Sequence, residues 1–110
     1  ERVIIAEIVR EKALELLNEE VPHGIGVGVD KIAARPEGDL TDVYATIYCE
    51  RESHKGIIIG KKGAMLKAIG SAARRDIEWL LGSRVNLQLW VKVKDDWRNR
   101  ESFLKELGYE

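Results

Sequence analysis

The stretch Gly60-Lys61-Lys62-Gly63 follows an isoleucine run, Ile57-Ile58-Ile59, and opens an amphipathic segment that extends from Ala64 to Leu81. That setting constrains the fold more than any other feature of the chain. Two glycines three residues apart let the backbone turn through conformations other residues avoid, so the segment reads as a tight turn feeding a helix. Met65, Leu66, Ile69, Ala72, Ala73, Ile77 and Leu80 fall mostly on one side of that helix. A helix start offers unpaired amide N–H groups and the positive end of a dipole, and Lys61 and Lys62 add two positive charges. The ligand this suits is an anion. Spacing alone says little, because ten glycines in 110 residues give about one such pair by chance. The flanks carry the information.

Charge is distributed accordingly. Residues 55–75 contain Lys55, Lys61, Lys62, Lys67, Arg74 and Arg75 with no acid, whereas residues 1–54 hold twelve acidic against six basic side chains. Residues 76–110 hold seven acidic against six basic, so a formal net charge of −1 hides a basic patch centred on the turn. A run of basic residues is commonly just a solvated helix face. Here it coincides with a glycine turn, and anion binding needs both in one place. The arrangement resembles the clamp of KH-type RNA-binding domains, in which a GxxG loop grips the backbone of about four nucleotides.

The rest of the chain supplies a small α+β frame. Residues 2–20 read as a helix, with Val3, Ile4, Ile8, Val9, Leu14, Leu16 and Leu17 near helical spacing, and Pro22 prevents its continuation. Ile25, Val27 and Val29 alternate with Gly24, Gly26 and Gly28, a strand whose second face is bare and open to close approach. A turn at residues 35–39 leads to a second strand, 42–51, expected to form a hairpin with the first. Residues 53–59 form a short helix before the turn, and Gly82-Ser83 ends the long one. Val85, Leu87, Leu89, Val91 and Val93 then alternate with Asn86, Gln88, Trp90, Lys92 and Lys94 in the clearest strand of all. A closing helix is expected over 97–107. The order is α-β-β-α-α-β-α, three strands with helices packed on one face.

Several chemistries are excluded. A P-loop would need Gly at 55 and Ser or Thr at 62, where the chain has Lys55 and Lys62. The glycines at 24, 26 and 28 lie in a strand and not in the turn a dinucleotide fingerprint requires. Two histidines and one cysteine cannot build a structural zinc site. Cys49 shares the parity of Val43, Ala45 and Ile47, so it reads as core filler and not as the nucleophile of a pair with His54. No disulfide is possible within the chain, which suits a reducing compartment. No apolar run approaches the ~18–20 residues of a membrane span. No catalytic motif or cofactor site emerges. Seven aromatics are present and none lies in 49–78, so bases are expected to rest on an aliphatic bed. Ile57, Ile58 and Ile59 are its candidates, some of them core and at least one lining the groove.

Longer motifs carry a resemblance to one family. Ile8-Val9-Arg10-Glu11-Lys12 with Glu20-Val21-Pro22-His23, then Ile58 to Gly63 running through Lys67-Ala68-Ile69-Gly70 and Ala73-Arg74, are similar to the C-terminal domain of the Era family of bacterial GTPases. Leu87-Gln88-Leu89-Trp90-Val91-Lys92-Val93-Lys94, with Trp97-Arg98 and Leu107-Gly108-Tyr109, resembles its closing signature. The resemblance implies a type II KH fold with a mixed sheet, and a single domain over residues 1–110 that belongs with an N-terminal GTPase domain. It also implies binding to the single-stranded 3′ end of small-subunit ribosomal RNA and a part in assembling that subunit. The location it implies is the cytoplasm or the inner face of the cell membrane. The chain begins with Glu1 on an already amphipathic segment, as expected of a monomeric piece of something larger.

The residues themselves support a non-enzymatic single-strand binder. Lys61 and Lys62 with the Gly60–Gly63 main chain would hold phosphates, while Ile58, Ile59, Ala64, Lys67 and Ile69 would form the floor and wall of a groove. Lys55, Arg74 and Arg75 would supply peripheral attraction. The alternative is a protein-interaction domain whose basic patch meets an acidic neighbouring domain or ribosomal protein.

Overall fold

A computed structural model of the chain describes residues 1–18 and 24–94. Helix α1 spans Arg2–Leu17, strands β1 and β2 span Gly26–Ala34 and Leu40–Cys49, α2 spans Glu52–Ile59, α3 spans Ala64–Leu81 and β3 spans Arg84–Val93. A single 3₁₀ turn, Lys61–Gly63, joins α2 to α3. The closing helix expected over 97–107 lies outside the described residues, as does the segment 19–23 beyond α1.

The sheet order is β1-β2-β3 and its pairing is mixed. β1 and β2 form the expected antiparallel hairpin, with a bulge between Val29 and Lys31. The bulged residue is Asp30, whose carboxylate accepts the Thr46 hydroxyl at 2.7 Å. β2 and β3 run parallel in continuous register, from Leu40 opposite Arg84 to Cys49 opposite Val93. Parallel neighbours cannot be joined by a tight turn and need a crossover. α2, the glycine turn and α3 are that crossover, so the turn lies at its midpoint.

Each helix faces the sheet through a stripe that the sequence partly discloses. On α3 the buried residues are Ile69, Ala73 and Ile77, at intervals of four, flanked by half-buried Met65, Leu66 and Leu80. On α1 the inward stripe is Ile5, Ala6, Val9, Ala13 and Leu17. Val3, Ile4 and Leu16, read from sequence as part of the apolar side, are exposed. Alanines supply the contact there because small side chains let α1 lie close to α3 and β1. The fully buried isoleucines and valines of this core each contribute roughly 1.5–3 kcal/mol by leaving water.

Polar groups pin the frame. The Arg10 guanidinium of α1 donates to the Ile25 carbonyl at 3.0 Å. Gly82 caps α3 in the left-handed conformation, its N–H reaching the Glu78 carbonyl at 2.9 Å. The Glu78 carboxylate then accepts the Val85 N–H at 2.8 Å and ties the start of β3 to the end of α3. Cys49 is fully buried, as expected, and burial pushes its thiol pKa up, which suits packing and not nucleophilic chemistry. Among the described residues no helix is long and apolar enough to cross a membrane.

Candidate nucleic-acid interface

Three of the four residues of the Gly60–Gly63 turn, Gly60, Lys62 and Gly63, have positive φ. Gly60 ends α2 at φ 77°, ψ 177°, a conformation essentially confined to glycine. A Cβ there would stand 2.6 Å from Met65 Cβ and 2.8 Å from the Met65 amide nitrogen. Gly63 sits at φ 78°, ψ 10°, with nothing within 4 Å of where a Cβ would project. The first glycine is required by packing. The second leaves open space in which another backbone can come close.

Between them, Lys62 holds φ 55°, ψ 28° without being glycine, at a cost on the order of 1–2 kcal/mol. Strain of this kind collects at ligand clamps. Lys61 and Lys62 are both exposed, and neither makes an ion pair among the described residues. One sequence expectation is narrowed: the amides at the start of α3 are not all free. Gly63 N–H donates to the Gly60 carbonyl at 3.2 Å and Ala64 N–H to the Lys61 carbonyl.

From this turn a groove of about 570 Å³ runs between α3 and the edge strand β3. One wall is Gly63, Leu66, Lys67, Gly70, Ser71 and Arg74, a stripe at intervals of three and four along α3. The other is Leu87, Gln88, Leu89 and Trp90 of β3. The lining holds two cations and no acid. At Gly70 the two walls stand close enough that an added Cβ would meet Leu89 Cδ1 at 3.7 Å, an ordinary contact.

The structure redistributes several residues assigned from sequence. Gly63 and Lys67 line the groove as expected, and Gly60, Lys61 and Lys62 adjoin it through Gly63. Ala64 is exposed at the first turn of α3, and Lys55 and Ile59 are half-buried, outside the lining. Ile58 is 0% exposed, so it supports α2 from within the core and cannot be the groove floor; Ile69 is likewise buried. Arg74, placed at the periphery from its distance along the chain, is in the groove, while its exposed neighbour Arg75 is not. The aliphatic side chains of the groove are Leu66, Leu87 and Leu89, not the isoleucines before the turn. Trp90 borders the groove along the β3 edge, but its ring, 46% exposed, packs edge-on against Tyr44 at 5.7 Å on the sheet face away from the helices. Leu87 and Leu89 were hidden by their distance in sequence from the turn, which the parallel pairing of β3 with β2 removes.

An antiparallel hairpin, a crossover bearing a glycine turn and a parallel third strand define the type II KH fold. The chain belongs to the KH domain family, whose model matches residues 20–98. It is 60% identical over 109 residues to the GTPase Era of Clostridioides difficile strain 630, covering 99% of this chain and 37% of that protein. The GTPase Era of Alkaliphilus metalliredigens is 60% identical over 110 residues, covering 100% of this chain and 37% of that one. The chain thus spans little more than a third of these relatives. Among solved structures, an Aquifex aeolicus Era variant bound to GDP·AlF4⁻ superposes with a TM-score of 0.90 at 46% identity, covering 98% of this chain and 36% of that one. Era in complex with MgGDPNP and nucleotides 1506–1542 of 16S ribosomal RNA gives the same values.

Proposed function

We infer that this domain binds single-stranded RNA in the groove between α3 and β3, with the Gly60–Gly63 turn gripping the phosphate backbone. The observation that carries the reading is an acid-free groove, lined by Lys67 and Arg74, that continues directly from a strained turn bearing two unpaired lysines. Phosphates meet Lys61, Lys62 and the open backbone at Gly63, while Lys67 and Arg74 attract the strand along α3. Ala64 and Ile59 flank the turn, Ile58 holds α2 behind it, and Lys55 and Arg75 add to the surrounding positive field. Bases enter between Leu66 and the pair Leu87 and Leu89. No step of bond making is required of these residues; the work is selective binding.

The likeness to an Era structure holding a fragment of 16S ribosomal RNA supports the 3′ end of small-subunit ribosomal RNA as the natural target. By the same reasoning the domain is the RNA-binding part of a longer GTPase that serves small-subunit assembly, in the cytoplasm or at the inner face of the membrane. GTP hydrolysis belongs to the remainder of that parent.

Replacing Lys61 and Lys62 together with Asp tests the reading. Binding to short single strands should be lost while the melting temperature hardly moves, because exposed turn positions usually shift stability by no more than about 0.5 kcal/mol. Duplexes of the same sequence should bind more weakly, since pairing hides the base edges that a narrow groove contacts. Equal affinity for both, or an unaffected lysine variant, would leave only a basic surface suited to a protein partner.

A further inference from the structure

We propose that Ser71 selects ribose over deoxyribose: its hydroxyl, on the outer lip of the groove between Lys67 and Arg74, meets the 2′-hydroxyl of one nucleotide. The inference rests on the groove being the RNA site and deepens that reading, because cations that attract phosphate hold RNA and DNA alike.

The α3 wall is built in two rows. Leu66 and Gly70 are half-buried and stand across the groove from Leu87 and Leu89. Outside them Lys67, Ser71 and Arg74 are all exposed, at steps of four and three residues, so they follow one another along a single helix face. The inner row is apolar and suits bases. The outer row carries the charges and suits the sugar–phosphate backbone. Along the helix axis Lys67 and Arg74 are about 10 Å apart with Ser71 between them. When those two cations each take a phosphate of the strand, the group that passes Ser71 is the sugar joining them. Ser71 carries the only hydroxyl of the groove lining, and it makes no hydrogen bond among the described residues. Hydroxyls elsewhere are engaged: those of Thr41 and Ser83 lie 3.0 Å apart, and Thr46 donates to Asp30 at 2.7 Å. A free hydroxyl can both donate and accept. The 2′-hydroxyl does the same, and it is the group by which a protein tells RNA from DNA at a given site. Nor does the fold call for serine at this exposed position, where alanine is the better helix former. Gln88, the other uncharged polar side chain of the lining, belongs to the strand face it shares with its partner Tyr44, away from α3.

The test begins with the tightest-binding strand selected from a randomised pool of short single-stranded RNAs, and with its all-deoxy counterpart of the same bases. Copies of the RNA carrying one 2′-deoxy nucleotide at each position in turn complete the set. We expect the native domain to prefer the RNA, and Ser71→Ala to bind it roughly 2- to 13-fold more weakly, the range for one neutral hydrogen bond. Affinity for the all-deoxy strand should not change, and the melting temperature should hold or rise. One 2′-deoxy position should weaken binding to the native domain yet cost almost nothing further with Ser71→Ala. Equal affinity of the native domain for the two strands, an equal loss on both strands in Ser71→Ala, or deoxy costs that match in the two proteins at every position would each overturn the proposal. Failure of the groove reading is distinguishable, because RNA binding would then survive Lys61→Ala/Lys62→Ala. If binding is lost in that variant while Ser71→Ala keeps the full preference for RNA, only the assignment of Ser71 falls.

Discussion

The Lys12 ammonium of α1 lies 3.2 Å from the Asp76 carboxylate of α3. Asp76 follows Arg74 and Arg75 in sequence and would be expected to offset them. The contact from α1 raises the Lys12 pKa, chiefly through its hydrogen bond to Asp76, and engages that acid on another helix. Neither arginine makes an ion pair among the described residues, so the positive field along α3 persists past its midpoint.

The two arginines should consequently behave differently. Arg74 lines the groove and Arg75 does not. If Arg74 neutralises one phosphate, Arg74→Ala should flatten the slope of log K against log salt by about 0.7. Arg75→Ala should change it by much less. Titration of one short strand across a salt series gives both slopes. A larger effect from Arg75 would move the RNA track onto the face of α3 that bears Trp79.

The glycines of the turn should separate by stability. Gly60→Ala places a Cβ 2.6 Å from Met65 Cβ in a backbone region other residues do not occupy, so a loss of about 1–3 kcal/mol is expected. Gly63→Ala meets nothing within 4 Å and should cost about 1–2 kcal/mol from its left-handed angle alone. Thermal unfolding of the two variants decides the order. Similar losses would mean that the backbone angle, and not Met65, sets the requirement at Gly60.

These residues also show how far the sequence could be read. The turn, the buried stripe of α3 and the alternation of β3 were legible because each rests on local periodicity. α1 was less so, since its contact side is set by how closely it approaches α3 and β1, which favours Ala6 and Ala13 over the larger Val3, Ile4 and Leu16. The three isoleucines before the turn could not be sorted without knowing the rotation of α2. The parallel pairing that sets Leu87 and Leu89 of β3 opposite α3 is long-range, and no local pattern encodes it.

A second network should govern behaviour in acid. On β2, the Asp42 carboxylate accepts Arg35 Nε at 3.0 Å and a second guanidinium nitrogen at 2.9 Å, together with the Asn86 amide at 2.8 Å. The arginine hydrogen bond foremost, then the asparagine, lowers the Asp42 pKa from 3.8 to about 2. A carboxylate whose pKa is depressed by folding adds stability that is fully present above its unfolded value and lost as pH falls through its folded value. The contribution therefore disappears between about pH 4 and about pH 2. Asp42→Asn should be less stable than the native domain at neutral pH, and the two unfolding curves should converge across that window. A constant gap down to pH 2 would show that the network holds the strands by geometry alone and not by the charge.

Gly70 offers the sharpest separation of folding from binding. It lies inside α3, where glycine costs about 1 kcal/mol relative to alanine. Its φ is not among the positive ones, and an added Cβ would meet Leu89 Cδ1 at 3.7 Å, an ordinary contact. Nothing in the fold requires glycine here, so Gly70→Ala should stabilise the domain by up to about 1 kcal/mol. Yet Gly70 is in the groove wall, opposite the β3 residues that would receive a base, and a methyl group there narrows the space. Affinity for a short single strand should fall as the melting temperature rises. Measured together, the two effects are diagnostic: a variant both more stable and equally tight in binding would mean that RNA does not pass between Gly70 and Leu89, and that the strand leaves the turn along another path.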